Sequence, residues 1–387
     1  MRNYINLNGE WNFELLEELP ENVALIQPSK KIKVPSCVES FFPEVTKKQF
    51  YIYYSRNFSI NRQKGKRYFL IFGAVDYYTT VFLNGQIIGE HEGGYSSFEF
   101  EITDFIKEDN HVQIVVFDPV DNSKINFGEI PHGKQNGEPN WYTNITGIWQ
   151  GVRIEERPLA FLKNVIIKAS YLKKKIECSY DVSGEIDNVN LTIKKDEKRV
   201  LKKEFAKDEK ILAFLENAVA WSPENPQLYD LYLEAKNGSQ TDVIHKKIGF
   251  RDFQVDNEKL LLNGDDFYMI GVLDQDFYPD TLYTIPSKEY LRSSFLKLKK
   301  MGINTLRCHV KVPDPVYMEL ADEIGFIVWL DAPYFDNFSE YSTKRLEKTI
   351  LKTLERDISH PSLCIYSIIN ESWGINLDIQ AHRKWLE

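Results

Sequence analysis

The sequence predicts a multidomain protein in which two β-sandwiches precede an α/β domain, the first half of a TIM (β/α)8 barrel. The chain has 387 residues, a length that suggests two or three domains. Short runs of aromatic and β-branched residues fill residues 1–251, and strand–helix repeats follow them. With 43% apolar and 27% charged residues, the chain can bury sizeable cores.

Residues 1–158 predict an antiparallel β-sandwich. The runs YYSRNFSI, KRYFLIFGAV and HVQIVVFD are typical of short strands, and Asn84-Gly85 between two apolar runs is the strongest short signal of a hairpin. The stretch from Asn122 to Asn140 is rich in Gly, Pro, Asn and His, which predicts a long loop. Long loops in compact domains are usually functional or disordered.

Residues 159–251 predict a second sandwich. The segments FLKNVIIKASYL, KKKIECSYDVSG and QLYDLYLEAK alternate apolar and polar residues, and turn residues separate them at short intervals. This spacing is typical of an immunoglobulin-like domain. The segment WSPENPQLY carries two prolines, so we expect it to connect strands.

After Phe250 the pattern changes to alternating strands and helices. A helix is expected to begin near Ser287, and Asp314, Pro315 and Gly325 have the positions of an N-cap, a first helical residue and a C-terminal stop. The strands between the helices are continuous apolar runs. That combination predicts a parallel sheet covered by helices.

The barrel is expected to be incomplete. Residues 252–387 contain four predicted strands, FYMIGV, INTLRCHV, FIVWLDAP and SLCIYSIIN, whereas a complete barrel has eight strands in roughly 250 residues. Four parallel strands with open edges would be an awkward finished domain. We therefore expect the chain to be the N-terminal part of a longer protein, and the alternative is a small open α/β domain.

Composition disfavours several classes of function. Lys and Arg total 48 against 57 Asp and Glu, and the net charge of -9 argues against nucleic-acid binding and against a polybasic membrane surface. The four cysteines form no CxxC or Cys/His cluster, which argues against a disulfide scaffold or zinc site. The sequence has neither a long apolar run nor an N-terminal signal segment. We expect a cytoplasmic protein if the N-terminus is native, and a periplasmic or secreted one if a leader was removed.

Chemically active side chains follow each predicted barrel strand. Active sites of such barrels lie at the C-terminal ends of the strands, so these residues are expected to share one rim. They are Asp274 and Gln275 after the first strand, Arg307, His309 and Lys311 at alternate positions of the second, Asp331 after the third, and Asn370 and Glu371 after the fourth. A structural ion pair of Arg307 with Asp331 and a structural His309 are alternatives. Glu371 follows the buried run LCIYSII, where an unpaired carboxylate is costly.

Several segments resemble glycoside hydrolase family 2, the group of the β-galactosidases and β-glucuronidases. SHPSLCIYSIINESWG resembles its acid/base signature, in which His-Pro-Ser precedes an apolar strand ending in Asn-Glu. GIWQGVRIEERP resembles the segment that closes its sugar-binding domain, and NLNGEWNF and WSPENPQLY also match. The resemblance implies a jelly-roll β-sandwich in residues 1–158, an immunoglobulin-like β-sandwich in 159–251 and the N-terminal half of a TIM-barrel catalytic domain in 252–387.

The resemblance also implies a retaining β-glycosidase that uses two carboxylates. Glu371 matches the general acid/base, Asn370 the residue that hydrogen-bonds the sugar 2-hydroxyl, and Arg307 an arginine that supports the carboxylates. Trp373 and Trp141 are expected near the sugar. In this family the nucleophile follows the seventh strand, ~90–100 residues beyond Glu371, so the present chain alone is expected to be inactive.

Two segments depart from the familiar pattern of the family. GVLDQDFYPDTLYT stands in place of an Asn-Arg-His-Glu pattern, and Arg-Cys-His-Val-Lys in place of Arg-x-x-His. The candidates for substrate binding in these segments, Asp274, Gln275, His309 and Lys311, are therefore weaker ones. The identity of the substrate sugar is left open.

The expected partner is a carbohydrate substrate, with no nucleic acid, no membrane, no cofactor and no metal, and a homo-oligomer is left open. Two other functions are compatible with the same modules. One is a non-catalytic carbohydrate-binding protein. The other is a structural assembly in which the half-barrel is an interaction platform.

Overall fold

The computed structural model describes residues 2–46, 48, 50–119, 145–371 and 374–387. It contains a jelly-roll sandwich, an immunoglobulin-like sandwich and a partial TIM barrel in the predicted order, which confirms the fold class expected from the sequence. The loop predicted from Asn122 to Asn140 lies outside the described residues.

The jelly roll is built from two antiparallel sheets. Its described strands are β1 (Asn3–Asn6), β2 (Gly9–Leu16), β3 (Lys30–Val34), β4 (Tyr51–Ser59), β5 (Lys66–Phe72), β6 (Tyr78–Leu83), β7 (Gln86–Glu92), β8 (Phe98–Glu101), β9 (Asp109–Phe117) and β10 (Val152–Pro158). One sheet has the order β1-β10-β5-β8 and the other β3-β2-β4-β9-β6-β7, and Trp11, Phe13 and Tyr54 are buried between them. Asn84 and Gly85 form the predicted hairpin turn between β6 and β7, with φ values of 53° and 82°.

The second sandwich shows the alternation of its sequence directly in its burial. Its strands are β11 (Phe161–Ser170), β12 (Lys175–Ser183), β13 (Asn188–Lys195), β14 (Lys198–Ala206), β15 (Ile211–Phe214), β16 (Tyr229–Asn237) and β17 (Gln240–Ile248). They form the sheets β11-β12-β15 and β14-β13-β16-β17. Val189, Leu191 and Ile193 alternate along β13 and face the core, as expected for a sheet with one buried face.

The α/β unit follows a small antiparallel sheet of β18 (Phe253–Asp256), β19 (Lys259–Leu262) and β20 (Asp265–Asp266). Its parallel sheet has the order β21-β22-β23-β24. The elements are β21 (Gly271–Asp274), α1 (Lys288–Lys300), β22 (Thr305–Cys308), α2 (Pro315–Ile324), β23 (Ile327–Asp331), α3 (Glu340–Asp357), β24 (Leu363–Ser367) and α4 (Gln380–Leu386). Within the described residues, no helix combines the length and the apolar character needed to cross a membrane.

The helix boundaries agree with the capping residues in the sequence. The Ser287 side chain accepts a hydrogen bond from the Tyr290 backbone N–H at the start of α1, and Asp314 caps α2 in the same way. Gly325 ends α2 with φ 86°, a conformation that favours glycine. These predicted positions are confirmed.

The first barrel strand begins later than the sequence suggests. The run FYMIGV predicts a strand from residue 267, but pairing with β22 begins at Gly271, opposite Thr305. Phe267 still pairs with β19, since its N–H donates to the Leu260 carbonyl at 2.8 Å, and Tyr268 is 83% exposed. Apolar character alone therefore misplaced the start of this strand, because the side chain of Asn304, which precedes β22, bonds the backbone of Tyr268 and Ile270.

Buried aromatic residues join the three domains. Trp149 and Tyr95 of the jelly roll pack with Tyr283 from the loop after β21. Trp221 of the second sandwich is fully buried and its indole N–H donates to the Asp322 carbonyl of α2 at 3.0 Å. The sandwiches thus hold both the strand-end loops and the helical layer of the barrel.

Candidate active site

Arg307 connects the ends of three neighbouring barrel strands. Its Nε donates to Asp331 Oδ2 at 2.9 Å, and its Nη2 donates to Asn370 Oδ1 at 2.8 Å. Asp331 is fully buried, whereas the Arg307 side chain stays partly open to solvent. The ion pair that the sequence offered as an alternative therefore exists, and the same guanidinium also fixes the amide of Asn370.

Trp329 supports this arrangement from β23. It lies opposite Arg307 in the register of β22 and β23, and the guanidinium carbon is 4.7 Å from the centre of its ring. The indole N–H of Trp329 donates to Ser367 Oγ at 2.6 Å, at the end of β24. Stacking and two polar contacts leave Arg307 little rotational freedom, so the site is held in one geometry.

Asn370 and Glu371 lie three and four residues beyond the last residue of β24, Ser367. Asn370 is 5% exposed, while Glu371 is exposed. Glu371 has φ 52°, a left-handed conformation that costs a non-glycine residue about 1 kcal/mol or more. Such conformations are concentrated at functional sites, and this residue directly follows the Asn370 amide that Arg307 holds.

The loop after β21 and the end of β22 bring His309 and Gln275 together. His309 Nδ1 lies 3.2 Å from Gln275 Oε1, and both side chains are partly exposed. Asp274 is used internally instead. Its carboxylate accepts hydrogen bonds from the Tyr317 hydroxyl and from the Asp276 backbone N–H, each at 2.9 Å, and burial together with Asp276 raises its pKa.

Lys311 is not at the exposed rim, which corrects the expectation from alternate spacing. Its side chain is fully buried, and Nζ lies 2.6 Å from Asp276 Oδ2 and donates to the Tyr283 carbonyl at 2.9 Å. Strand β22 ends at Cys308, and Val310 adopts φ 47°, so the alternation does not continue beyond His309. This burial indicates a structural role for Lys311 at the junction with the jelly roll.

The His-Pro-Ser segment fixes the start of β24. His360 Nδ1 lies 2.6 Å from Asp322 Oδ2, and the Ser362 backbone N–H donates to Asp322 Oδ1 at 3.0 Å. Burial alone would lower the pKa of His360, but the Asp322 carboxylate outweighs it and the pKa is raised. The motif thus anchors the strand that leads to Asn370 and Glu371.

Sequence reasoning missed three carboxyl groups of the jelly roll, of which Glu39 and Asp118 are buried and Asp76 is half-buried. Burial raises the pKa of Glu39 to about 7, although Thr146 donates to its carboxylate. Burial and the neighbouring Glu39 raise the pKa of Asp76 well above its usual range, and burial and Asp76 do the same for Asp118. Asp76 and Asp118 each follow an apolar strand run, which was the available signal.

The carboxyl cluster adjoins the barrel, because Asp76 contributes to the raised pKa of Tyr283. Across the described ranges, no group of three or more His, Cys, Asp or Glu side chains is arranged to hold a metal ion. Trp141 and Trp373, which were expected near the sugar, lie outside the described residues.

Comparison with known families accounts for the whole order of domains. Residues 4–158 match the sugar binding domain of Glycosyl hydrolases family 2, residues 152–251 match the Glycosyl hydrolases family 2 domain, and residues 253–386 match the TIM barrel domain of the same family. The chain belongs to glycosyl hydrolases family 2. The segments that carry the resemblance in the sequence therefore reflect true membership.

Individual β-galactosidases and β-glucuronidases resemble the chain at low identity. A β-galactosidase of Thermoanaerobacterium thermosulfurigenes is 26% identical over 96% of this chain and 54% of its own length, and a β-glucuronidase of Bacteroides fragilis is 23% identical over 96% and 56%. The chain spans about half the length of these curated relatives.

Solved structures of β-glucuronidases share the fold across the chain. A β-glucuronidase from Ruminococcus gnavus in complex with D-glucuronic acid superimposes with a TM-score of 0.87 at 21% identity, and the match covers 100% of this chain and 69% of that one. β-Glucuronidase 3 of Bacteroides uniformis gives a TM-score of 0.83 at 18% identity, with coverage of 100% and 53%.

Proposed function

We propose that this chain supplies the acid/base and sugar-positioning residues of a retaining β-glycosidase. Membership of glycosyl hydrolases family 2 supports the reaction class, and β-galactosidases and β-glucuronidases are among its relatives. The observation that carries the proposal is the Asn370-Glu371 pair beyond the C-terminal end of β24, with Asn370 fixed by Arg307.

Glu371 is the proposed proton donor. As the glycosidic bond breaks, its carboxylic acid gives a proton to the leaving oxygen, and as a carboxylate it then takes a proton from the attacking water. A retaining enzyme needs a second carboxylate as nucleophile, about 5–5.5 Å from the acid. We assign that role to no residue of this chain, so the chain by itself is expected not to turn over glycosides.

Asn370 is the proposed partner of a sugar hydroxyl. Its amide oxygen accepts from Arg307, so its NH₂ group is the part that is left to donate to a substrate oxygen. Because Arg307 is itself held by Asp331 and Trp329, the amide is pre-organised and little entropy is lost when the sugar binds. His309 and Gln275 are proposed as further substrate contacts at the same rim.

The test replaces Glu371 by Gln in the catalytically active protein that contains this chain. Turnover of an alkyl or sugar leaving group should fall by about 10²–10⁴-fold, because protonation of the leaving oxygen is lost. A dinitrophenyl glycoside needs little protonation, so its glycosylation step should be nearly unaffected. Steady-state and pre-steady-state kinetics with the two substrates measure this difference.

The matched control is Glu340→Gln, which changes an exposed glutamate at the start of α3 and should leave both rates unchanged. An equal decrease in rate with both leaving groups would show that Glu371 is not the proton donor. Saturable binding of glycans by the wild-type protein without hydrolysis would instead support the non-catalytic carbohydrate-binding function.

A further inference from the structure

A groove with a volume of about 520 Å³ lies where the three domains meet, away from the Arg307–Asn370 contact. The jelly roll contributes Phe98 and Arg157 to it, the second sandwich contributes residues of β11 and β17, and the barrel contributes one face of α3. Of the charged residues that line it, seven are basic and two are acidic, although the chain as a whole carries a net charge of -9. We call it the cationic groove; its defining residues are Arg157, Lys163, Lys246, Lys348 and Arg356.

Three lysines of the cationic groove have no carboxylate at salt-bridge distance among the described residues. Lys246 on β17 is one of them, and burial lowers its pKa although the charge of Asp357 acts in the opposite direction. Lys163 lies 5.5 Å from the centre of the Phe161 ring, and Lys348 donates to the Glu92 backbone carbonyl at 3.2 Å. These contacts leave positive charge that a bound anion would neutralise.

The arginines of the groove are held rigidly, which separates it from an ordinary solvated surface. Arg157 pairs with Glu99 and Glu155, and Arg356 pairs with Asp357 at 2.6 Å while donating to the Pro313 carbonyl at 2.8 Å. A fixed guanidinium loses little entropy when it binds a further oxygen anion.

Part of the lining of the groove is apolar. It includes Phe98, Leu162, Val165 and Ile244, and the His91 ring stacks on Phe98 at 3.8 Å between ring centres. Ligand sites in proteins typically combine such an apolar surface with a few convergent polar groups, in volumes of ~300–1,000 Å³. The size of this groove suits one or two sugar-sized rings and is small for a protein segment.

We propose that the cationic groove binds a compact molecule that carries two or more phosphate, sulfate or carboxylate groups. The unpaired lysines lie on different domains, Lys163 and Lys246 on the second sandwich and Lys348 on α3 of the barrel. A ligand with several anionic groups can contact lysines of the second sandwich and of the barrel at the same time. Such a ligand therefore holds these two domains together. The inference does not depend on the catalytic role of Glu371.

The experiment measures binding to the 387-residue chain by isothermal titration calorimetry at low ionic strength. The probes are pyrophosphate, a disulfated disaccharide, a uronate-bearing disaccharide and an unsubstituted disaccharide. At least one anionic probe should bind saturably and more weakly as salt is added, and the neutral disaccharide should not. The three anionic probes distinguish a phosphate ligand from a sulfated or carboxylated sugar.

The test variant combines Lys246→Met with Lys348→Met, and the matched control combines the exposed Lys198→Met with Lys300→Met, which removes the same charge elsewhere. Affinity should fall about tenfold or more in the test variant and stay unchanged in the control, because two charge-assisted contacts are lost. An equal loss in both variants, or no saturable binding of any anionic probe, overturns the proposal. Equal binding of the neutral disaccharide overturns it as well.

A second measurement uses the unmodified chain, in case the lysine variants fold poorly. Burial, together with the nearby Lys348, lowers the pKa of His91 to about 4. An anion bound beside Lys348 would oppose that repulsion and raise the pKa of His91, which NMR titration of the ring can follow. A saturating anionic probe that leaves the titration of His91 unchanged contradicts binding in the cationic groove.

Discussion

Individual carboxyl groups that are shielded from solvent set the acid–base behaviour of the region between the jelly roll and the barrel. The clearest case is Glu39, because burial raises the pKa of its carboxyl group from an ordinary value of 4.5 to about 7. In the folded protein the group is therefore largely protonated below neutral pH, whereas in the unfolded chain it ionises near pH 4.5. The same burial affects Asp76 and Asp118, so the three groups respond to pH together.

The change Glu39→Gln is expected to alter the pH dependence of stability. Between pH 4.5 and 7 the folded state keeps a proton that the unfolded state has lost, so the free energy of unfolding decreases as pH rises through this window. Glu39 contributes on the order of 3 kcal/mol to this decrease, and the decrease should be smaller by about that amount in the variant, where Asp76 and Asp118 still contribute. Urea denaturation at pH 5 and pH 8 measures the difference.

A control at exposed Glu44, Glu44→Gln, should reproduce the wild-type pH dependence. If Glu39→Gln shows the same fall between pH 5 and pH 8 as the wild type, Glu39 ionises normally and the coupling must reside in Asp76 and Asp118.

At the residue level, sequence reasoning succeeded where the chain itself fixes position. Asn370 and Glu371 come directly after an apolar run that the sequence identifies as a strand. Their place near the C-terminal end of that strand could therefore be predicted. The burial of Lys311 could not be predicted in this way. The direction of its side chain depends on the backbone at Val310, which is not extended but has a φ of 47°. The burial of Glu39 could not be predicted either, because the residues that surround it, such as Thr146, are distant in the sequence.

At the scale of elements, Gly325 shows how one residue both ends a helix and sets a domain contact. It has φ 86°, and a Cβ placed on it would overlap the Pro223 carbonyl oxygen of the second sandwich. Gly302, at the end of α1, has a similar φ of 83° but open space around it. The two glycines therefore separate the cost of backbone conformation from the cost of close packing.

Gly325→Ala should destabilise the protein markedly more than Gly302→Ala. The conformational cost common to both is about 1 kcal/mol, and the backbone contact at Pro223 should add about 1–3 kcal/mol to Gly325→Ala. Thermal and urea unfolding of the two variants measure the difference. Equal losses would mean that the second sandwich moves aside without cost, and α2 would then not be tightly held by it.

The helices of the barrel also show what a sequence pattern can and cannot resolve. Caps at Ser287 and Asp314 are local interactions, so their prediction is reliable. The buried face of α3 is harder to predict from the sequence, because it includes Thr349 and Thr353. Their hydroxyl groups donate to backbone carbonyls four residues earlier. Threonines satisfied in this way can face a domain junction, although apolar periodicity does not single them out.

At the scale of the whole molecule, the second sandwich supports the strand that leads to the proposed acid. Arg251 follows β17, and its guanidinium donates to the Pro361 carbonyl at 2.9 Å and to the Leu363 carbonyl at 2.7 Å. Gly249 also lies against Pro361, where an added Cβ would come within 2.8 Å. The sandwich thus contacts the backbone just where β24 begins, and Glu371 lies eight residues after Leu363.

Arg251→Met should therefore loosen β24 while leaving the two sandwiches folded. Loss of two charge-assisted hydrogen bonds is expected to cost about 2–3 kcal/mol, and the effect should be local to the segment that they hold. Hydrogen exchange should become faster for the β24 amides than for those of β13, in the core of the second sandwich. Arg199→Met, at an exposed position of β14, is the matched control and should change neither rate. If exchange in β24 and β13 rises equally, Arg251 stabilises the sandwich alone, and the domains do not cooperate in placing Glu371.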